Sequence, residues 1–302
     1  MLTPVLGFAV GFLVLSAIFA VLEGRFGAHA RTPWWRRPDR GTDLAWWVAT
    51  PLLTRATTFL ALAAVVVVFV VATGRTVAAL RAELAAGGFP DLGVLGLGPT
   101  LRAWPLAVQV LAGLLVVDLL GYALHRGFHR RPLWPLHAVH HSSPRLDWLS
   151  SIRVHPLNQV LTKVVEGATL LLVGFDPRVF AIVTPFLTFY ALLLHADVPW
   201  AFGPLRRVIA SPRFHRWHHA ADREAWGKNF AGLFAFWDIL FGTYHLPVGV
   251  EPRALGAPTE PVPGRFVAQL AYPFRRAKAG ERLAHDAGPR REARPAAAAG
   301  SA

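Results

Sequence analysis

Residues 104–129 read WPLAVQVLAGLLVVDLLGYALHRGFH. From Leu106 to Leu124 the run is apolar apart from Gln109, Asp118 and Tyr122. A helix of about 20 apolar residues crosses the hydrocarbon core of a bilayer. This one passes, without a turn signal, into His125 and His129, which lie four residues apart and so share a helical face. A membrane span at 104–124 that ends in paired imidazoles sets the fold class and points to a metal.

Two further clusters follow, His137-Ala-Val-His140-His141 and His215-Arg-Trp-His218-His219. With His125 and His129 they hold eight of the 13 histidines. Neutral imidazole is the commonest side-chain metal ligand near neutral pH. Eight converging rings are too many for one four-coordinate zinc and suit two metal ions side by side. A lone histidine is more often a surface or hydrogen-bonded core residue, and that reading is given to His29, His245 and His285. It fails for the clusters. Neutral imidazoles packed together lack acceptors for their N–H groups, and charging them together is costly.

Composition agrees with a membrane setting. The chain of 302 residues is 54% hydrophobic and 16% charged, with a mean hydropathy of +0.39. The formal net charge of +13 could suggest nucleic acid, but arginines flanking apolar segments read better as cytoplasmic loops; no nucleic-acid partner is expected. With no cysteine, disulfides, iron–sulfur clusters and thiolate sites are excluded. Any metal is held by nitrogen and oxygen.

Working outward, residues 2–22 form an uncharged apolar run read as a first span rather than a signal peptide, since neither a basic n-region nor a clear cleavage site accompanies it. Arg25, Arg31, Arg36, Arg37 and Arg40 mark the loop at 24–40 as cytoplasmic. Residues 44–73 form a second span with Trp46 and Trp47 expected at the interface, and 74–102 a loop with a short surface helix. Residues 159–195 are apolar but broken at Gly174-Phe-Asp-Pro177, which predicts a helical hairpin. The tail from about 274 reads as disordered. With the 24–40 loop in the cytoplasm, all three clusters fall in that compartment. The expectation is an all-α polytopic membrane protein of four to five membrane helices, two of them a hairpin, under a cytoplasmic histidine-rich helical cap. Its divisions are 1–103 for the N-terminal helices, 104–250 for the catalytic domain and 251–302 for a partly disordered tail. A bacterial inner membrane is the expected location.

A membrane zinc protease would carry HExxH, which is absent. A bis-histidine haem protein needs fewer histidines, usually on spanning helices; a metal- or haem-binding protein of transport or electron transfer is the competing class. Histidine-only ligation of two redox-active metals points to iron, to O2 as co-substrate, and to hydroxylation or desaturation of a C–H bond in a lipid or other apolar substrate. Two electrons must enter from outside. No GxGxxG loop is placed to bind a cofactor, so a separate donor is expected: a ferredoxin, a cytochrome b5-like protein or a reductase.

The sequences HRGFH, HAVHH and HRWHH, in this order and on this hydropathy plan, resemble the fatty acid hydroxylase / sterol desaturase superfamily. Around them, Asp118-Leu-Leu-Gly-Tyr-Ala-Leu-His125-Arg126, Arg153-Val-His155-Pro156, His195-Ala-Asp197, Lys228-Asn229-Phe230 and Trp237-Asp238-Ile-Leu-Phe-Gly242-Thr243 are similar to the family's flanking segments. The likeness covers about residues 104–245. It implies a di-iron centre held by His125, His129, His137, His140, His141, His215, His218 and His219, with His195 and His155 added. His155 also reads as a helix-start residue before proline. Asp118, two helical turns before His125, reads as a partner for a ligand's free ring N–H or as half of an ion pair; Asn229 reads as a ligand-supporting or a capping residue. The chain departs from many relatives at Asn158, where they carry glutamate, and at Asp197, where they carry asparagine. Ala191 excludes an extra histidine found in some.

Overall fold

Backbone polar groups inside a bilayer have no water to bond, so an apolar run must close its hydrogen bonds within itself as a helix. The computed structural model describes residues 2–27, 33–74, 76–85, 96–257 and 262–279. Their α-helices are α1 (Leu2–Phe26), α2 (Arg40–Thr73), α3 (Val77–Ala85), α4 (Gly98–Ala103), α5 (Leu106–Phe128), α6 (Trp134–Ala138), α7 (Pro156–Val173), α8 (Pro177–His195), α9 (Pro212–His218), α10 (Phe236–Leu240) and α11 (Phe266–Ala279). Among the described residues there is no β-strand, only an isolated bridge between Ala220 and Leu255. The fold is all-α.

Among the described residues, four helical stretches are long and apolar enough to cross a membrane: Leu6–Phe26, Arg40–Val71, Leu106–Phe128 and Pro177–His195. Leu13, Leu52, Phe59, Val71 and Leu111 on them remain more than 60% exposed. Such apolar surface is stable against lipid, not water; this is a membrane protein. The hairpin forms as expected. Gly174, with φ 100°, ends α7 in the left-handed region that glycine tolerates. Asp176 then starts α8, its Oδ1 accepting the Arg178 N–H at 2.8 Å, with Pro177 in the first turn.

Long-range polar contacts gather the helix ends at one side. Near the end of α1, Glu23 Oε1 accepts the backbone N–H groups of Trp148 and Asp197, both at 3.1 Å. Asp43 in α2 is paired with Arg37 and accepts from Arg153 Nε at 2.8 Å; Arg37 also pairs with Asp147 and Arg153 with Asp39. A buried charge needs such pairing to remain charged. Arg37, read from sequence as a loop arginine, is therefore an internal strut, 1% exposed.

Trp46 and Trp47 are not at an exposed interface. Both are buried. Trp47 Nε1 donates to the Leu149 carbonyl at 2.9 Å, and Trp46 Nε1 to Gln269 Oε1 at 2.7 Å. Gln269 belongs to α11, within the segment read as tail. This helix packs Leu270 and Tyr272 against Trp46 and Trp134. Disorder is expected from about 274, but α11 continues to Ala279; residues 280–302 lie outside the described residues, as do His29 and His285.

Candidate metal centre

Four elements deliver the histidines. His125 and His129 come from the end of α5, and His137, His140 and His141 from α6 and the turn after it. His195 is the last residue of α8. His215 and His218 lie on α9, with His219 capping it. Helix α9 starts where it does because the Ser211 hydroxyl accepts the Phe214 N–H at 3.2 Å and Pro212 follows at the first position.

The rings sort into two groups. His125, His129, His137, His141 and His218 form one; His140, His195, His215 and His219 form the other. Within each, the ligand atoms all lie within 4.8 Å of one another. Nε2 atoms face Nε2 atoms: 3.0 Å for His125–His137, 3.2 Å for His129–His218 and 3.1 Å for His141–His218 in the first group. In the second, 3.1 Å separates His195 from His140, His215 from His195 and His219 from His215.

The other ring nitrogens show what these contacts are. Nδ1 of His125 donates to the Phe230 carbonyl at 2.7 Å, that of His218 to the Lys228 carbonyl at 2.8 Å, that of His195 to the Ala191 carbonyl at 2.7 Å and that of His137 to Asn158 Oδ1 at 2.9 Å. These oxygens only accept, so the proton sits on Nδ1 and the Nε2 lone pair points inward. His125 and His137 thus meet at 3.0 Å with a lone pair on each side and no hydrogen to share. A cation between them turns that contact from repulsive to favourable. At metal–nitrogen distances of about 2.0–2.1 Å, adjacent ligand atoms fall roughly 3 Å apart, as these do. Each group can therefore hold a metal ion.

Burial maintains the neutral form. It holds the imidazoles of His140, His141, His215, His218 and His219 well below the usual histidine value of 6.5, and their histidine neighbours push the same way.

Two of the supporting carbonyls come from one loop. Lys228 and Phe230 offer the carbonyls that aim His218 and His125. Between them Asn229 sits at φ 59°, donates from Nδ2 to the Phe214 carbonyl at 2.9 Å and the His245 carbonyl at 2.6 Å, and accepts the His245 N–H at 2.7 Å. Two buried carboxylates bind the rest of the loop. Asp238 accepts the Phe230 and Ala231 N–H groups, both at 2.8 Å. Asp118 accepts those of Leu233 and Phe234, both at 2.7 Å. Gly232 lies between, where a Cβ would come within 3.2 Å of Asp118 Oδ1.

The structure places the remaining candidates as follows. Asp118 touches neither a histidine ring nor an arginine; it acts through the loop backbone. Asn229 is a loop clasp that positions two ligand-holding carbonyls. His155 is not brought into either group: its Nδ1 accepts the Leu157 N–H at 3.2 Å, capping α7, and its Nε2 donates to the Leu270 carbonyl at 3.1 Å, the contacts of the helix-start residue that its place before Pro156 also suggests. Of the two departures, Asn158 is the partner of His137, and Asp197 pairs with buried Arg216 at 2.7 Å, the residue after His215. His245 packs its ring on Trp217 at 4.9 Å, outside both groups. Sequence reasoning missed Glu23, which no local pattern signals, and the loop-binding role of Asp238, for which the quoted Trp237–Thr243 segment was the available signal.

Residues 110–243 match the fatty acid hydroxylase family. The chain is 35% identical over 174 residues to the ornithine lipid hydroxylase OlsE of Rhizobium tropici, covering 57% of this chain and 52% of that protein. It is 33% identical over 129 residues to the alkylglycerol monooxygenase of Danio rerio (42% and 28% covered). To the methylsterol monooxygenase erg25A of Aspergillus fumigatus it is 32% identical over 163 residues (51% and 52% covered). The chain thus spans about half the length of the first and third of these relatives and less of the second. No solved structure matches it significantly. The matched segment, residues 110–243, carries all nine converging histidines.

Proposed function

We propose that this protein is a membrane di-iron oxygenase that hydroxylates a lipid chain, with two irons held by the groups of five and four histidines. The observation that carries the reading is the pair of buried, all-imidazole groups at the ends of spanning helices. Imidazole suits redox metals of the iron type, and no carboxylate or thiolate belongs to either group. Iron bound there would supply the reduction of O2 to an oxidant able to take hydrogen from an unactivated C–H bond. The overall balance is RH, O2, two electrons and two protons giving ROH and water. The chain's own part is to hold nine neutral lone pairs in place, keep water out by burial, and fix the rings through the Phe230, Lys228 and Ala191 carbonyls and Asn158.

Relatives named as hydroxylases and monooxygenases of ornithine lipid, alkylglycerol and methylsterol support hydroxylation over desaturation and an amphipathic lipid as substrate. We place the histidine end in the cytoplasm of a bacterial inner membrane, on the strength of Arg25, Arg36 and Arg40 beside it. A separate carrier supplies the electrons there.

Anaerobic purification followed by metal analysis tests the reading: about two irons per chain are expected from a pair of imidazole sites, and a single zinc or a haem absorption band overturns it. Lipids extracted from cells with and without the protein then identify the product, as a species heavier by one oxygen.

A further inference from the structure

Helix α5 has a second working face. Val108, Leu111 and Leu115 are exposed, and at the same three- to four-residue spacing follow Leu119, Ala123, Arg126 and Arg130, one continuous stripe. At its upper end lies a cavity of about 270 Å³, walled by Leu119, Ala123 and Phe241, floored by Gly127 and bordered by Arg126 and Arg130. Arg126 is held in place: its Nη1 donates to the Tyr122 hydroxyl at 3.1 Å, which shares a hydrogen bond of 2.9 Å with Thr243. Among the described residues neither guanidinium has an ion-pair partner within 4.0 Å. Beside the cavity, Ile239, Leu240 and Phe241 at the end of α10 are exposed, Leu240 at 67%, as suits a short helix end dipping into the headgroup region.

We propose that this cavity binds the headgroup of an anionic phospholipid, its phosphate between Arg126 and Arg130 and its acyl chain along the exposed stripe of α5. Two unpaired guanidiniums offer planar pairs of donors that match phosphate oxygens. The apolar stripe running down from them selects a lipid over a free anion. The proposal does not depend on the oxygenase reading, because it concerns the face of α5 beside, rather than toward, His125 and His129.

The test is native mass spectrometry of the full chain released from micelles containing equal phosphatidylglycerol and phosphatidylcholine. Wild type should retain one phosphatidylglycerol in preference to phosphatidylcholine. A basic residue at a membrane surface is worth about fivefold in binding an anionic lipid, so R126Q/R130Q should cut the preference about thirtyfold. G127L keeps both charges and meets nothing within 4 Å at its new Cβ, yet fills the cavity; it should also abolish retention. R206Q/R207Q, which removes an exposed arginine pair elsewhere, should retain it. The proposal fails if G127L keeps the wild-type preference, if R206Q/R207Q loses as much as R126Q/R130Q, or if millimolar inorganic phosphate displaces the bound species, which would mark a site for a free anion.

Discussion

His137 donates its Nδ1 hydrogen to Asn158 Oδ1 at 2.9 Å, so one ligand of the five-histidine group is oriented by a neutral amide. Removing such a partner typically costs 10–100-fold in metal affinity, roughly the loss expected for Asn158→Leu. Asn158→Asp keeps the acceptor and adds charge. It should make His137 a stronger donor, hold the affinity at or above wild type, and lower the midpoint potential of the bound metal. Metal titration of chelated protein and a redox titration read the two effects. Equal affinity in Asn158→Leu and wild type would contradict the role given to this contact.

His195 and His155 look alike in sequence, each a lone histidine beside a helix terminus, yet the structure gives them opposite roles. His195→Ala opens the four-histidine group and should remove one of the two metals. His155→Ala removes a cap and should cost about 1 kcal/mol of stability while leaving the metal content intact. Metal-to-protein ratios of the two variants, measured side by side, decide the matter; loss of metal in His155→Ala would restore it to the ligand set.

Asp118 supports the site through the backbone, and its variants should show this. Asp118→Ala leaves the N–H groups of Leu233 and Phe234 without their acceptor, at about 1–3 kcal/mol each. The melting temperature should fall markedly, followed by tryptophan fluorescence, while protein kept well below the transition still carries its metals. Asp118→Asn retains one acceptor and should fall between. A variant that keeps wild-type stability but loses metal would instead mean direct contact with the centre.

What could be read from the chain alone follows from the range over which each signal acts. The spans at α1, α2 and α5, the hairpin break at Gly174 and the histidine clusters are local patterns of hydropathy and spacing, and these were readable. The pairing of Arg37 with Asp147 and of Arg153 with Asp43 joins residues 110 apart and leaves no local mark. Trp46 was misplaced because a tryptophan at a span's edge has the same sequence context whether it meets lipid headgroups or, as here, the distant Gln269. Helix α11 leaves a weak mark in the sequence because Pro273 interrupts it and Arg275, Arg276 and Lys278 crowd its end. At His155 the sequence leaves two roles open, because a His-Pro pair fits both a ligand and a helix start.

Acid should release the metals and loosen the cap together. Burial lowers the proton affinity of His140, His141, His215, His218 and His219 below the usual 6.5. In the unfolded chain these rings take up protons as pH falls through about 6.5, while in the folded chain they stay neutral. The unfolded state then binds more protons, so folding stability rises with pH in that window and is lost as pH drops beneath it. Each ring contributes up to about 1.4 kcal/mol per pH unit. A bound cation competes for the same lone pairs and adds its own binding free energy to the folded state. The loaded protein should therefore melt at a higher temperature than the chelated protein at every pH, and hold its midpoint to a lower pH before both metals leave. Melting midpoints from pH 8 to pH 5, with and without chelator, check the argument. A chelated protein whose midpoint does not change across that range would mean that these five rings are not held neutral by the fold.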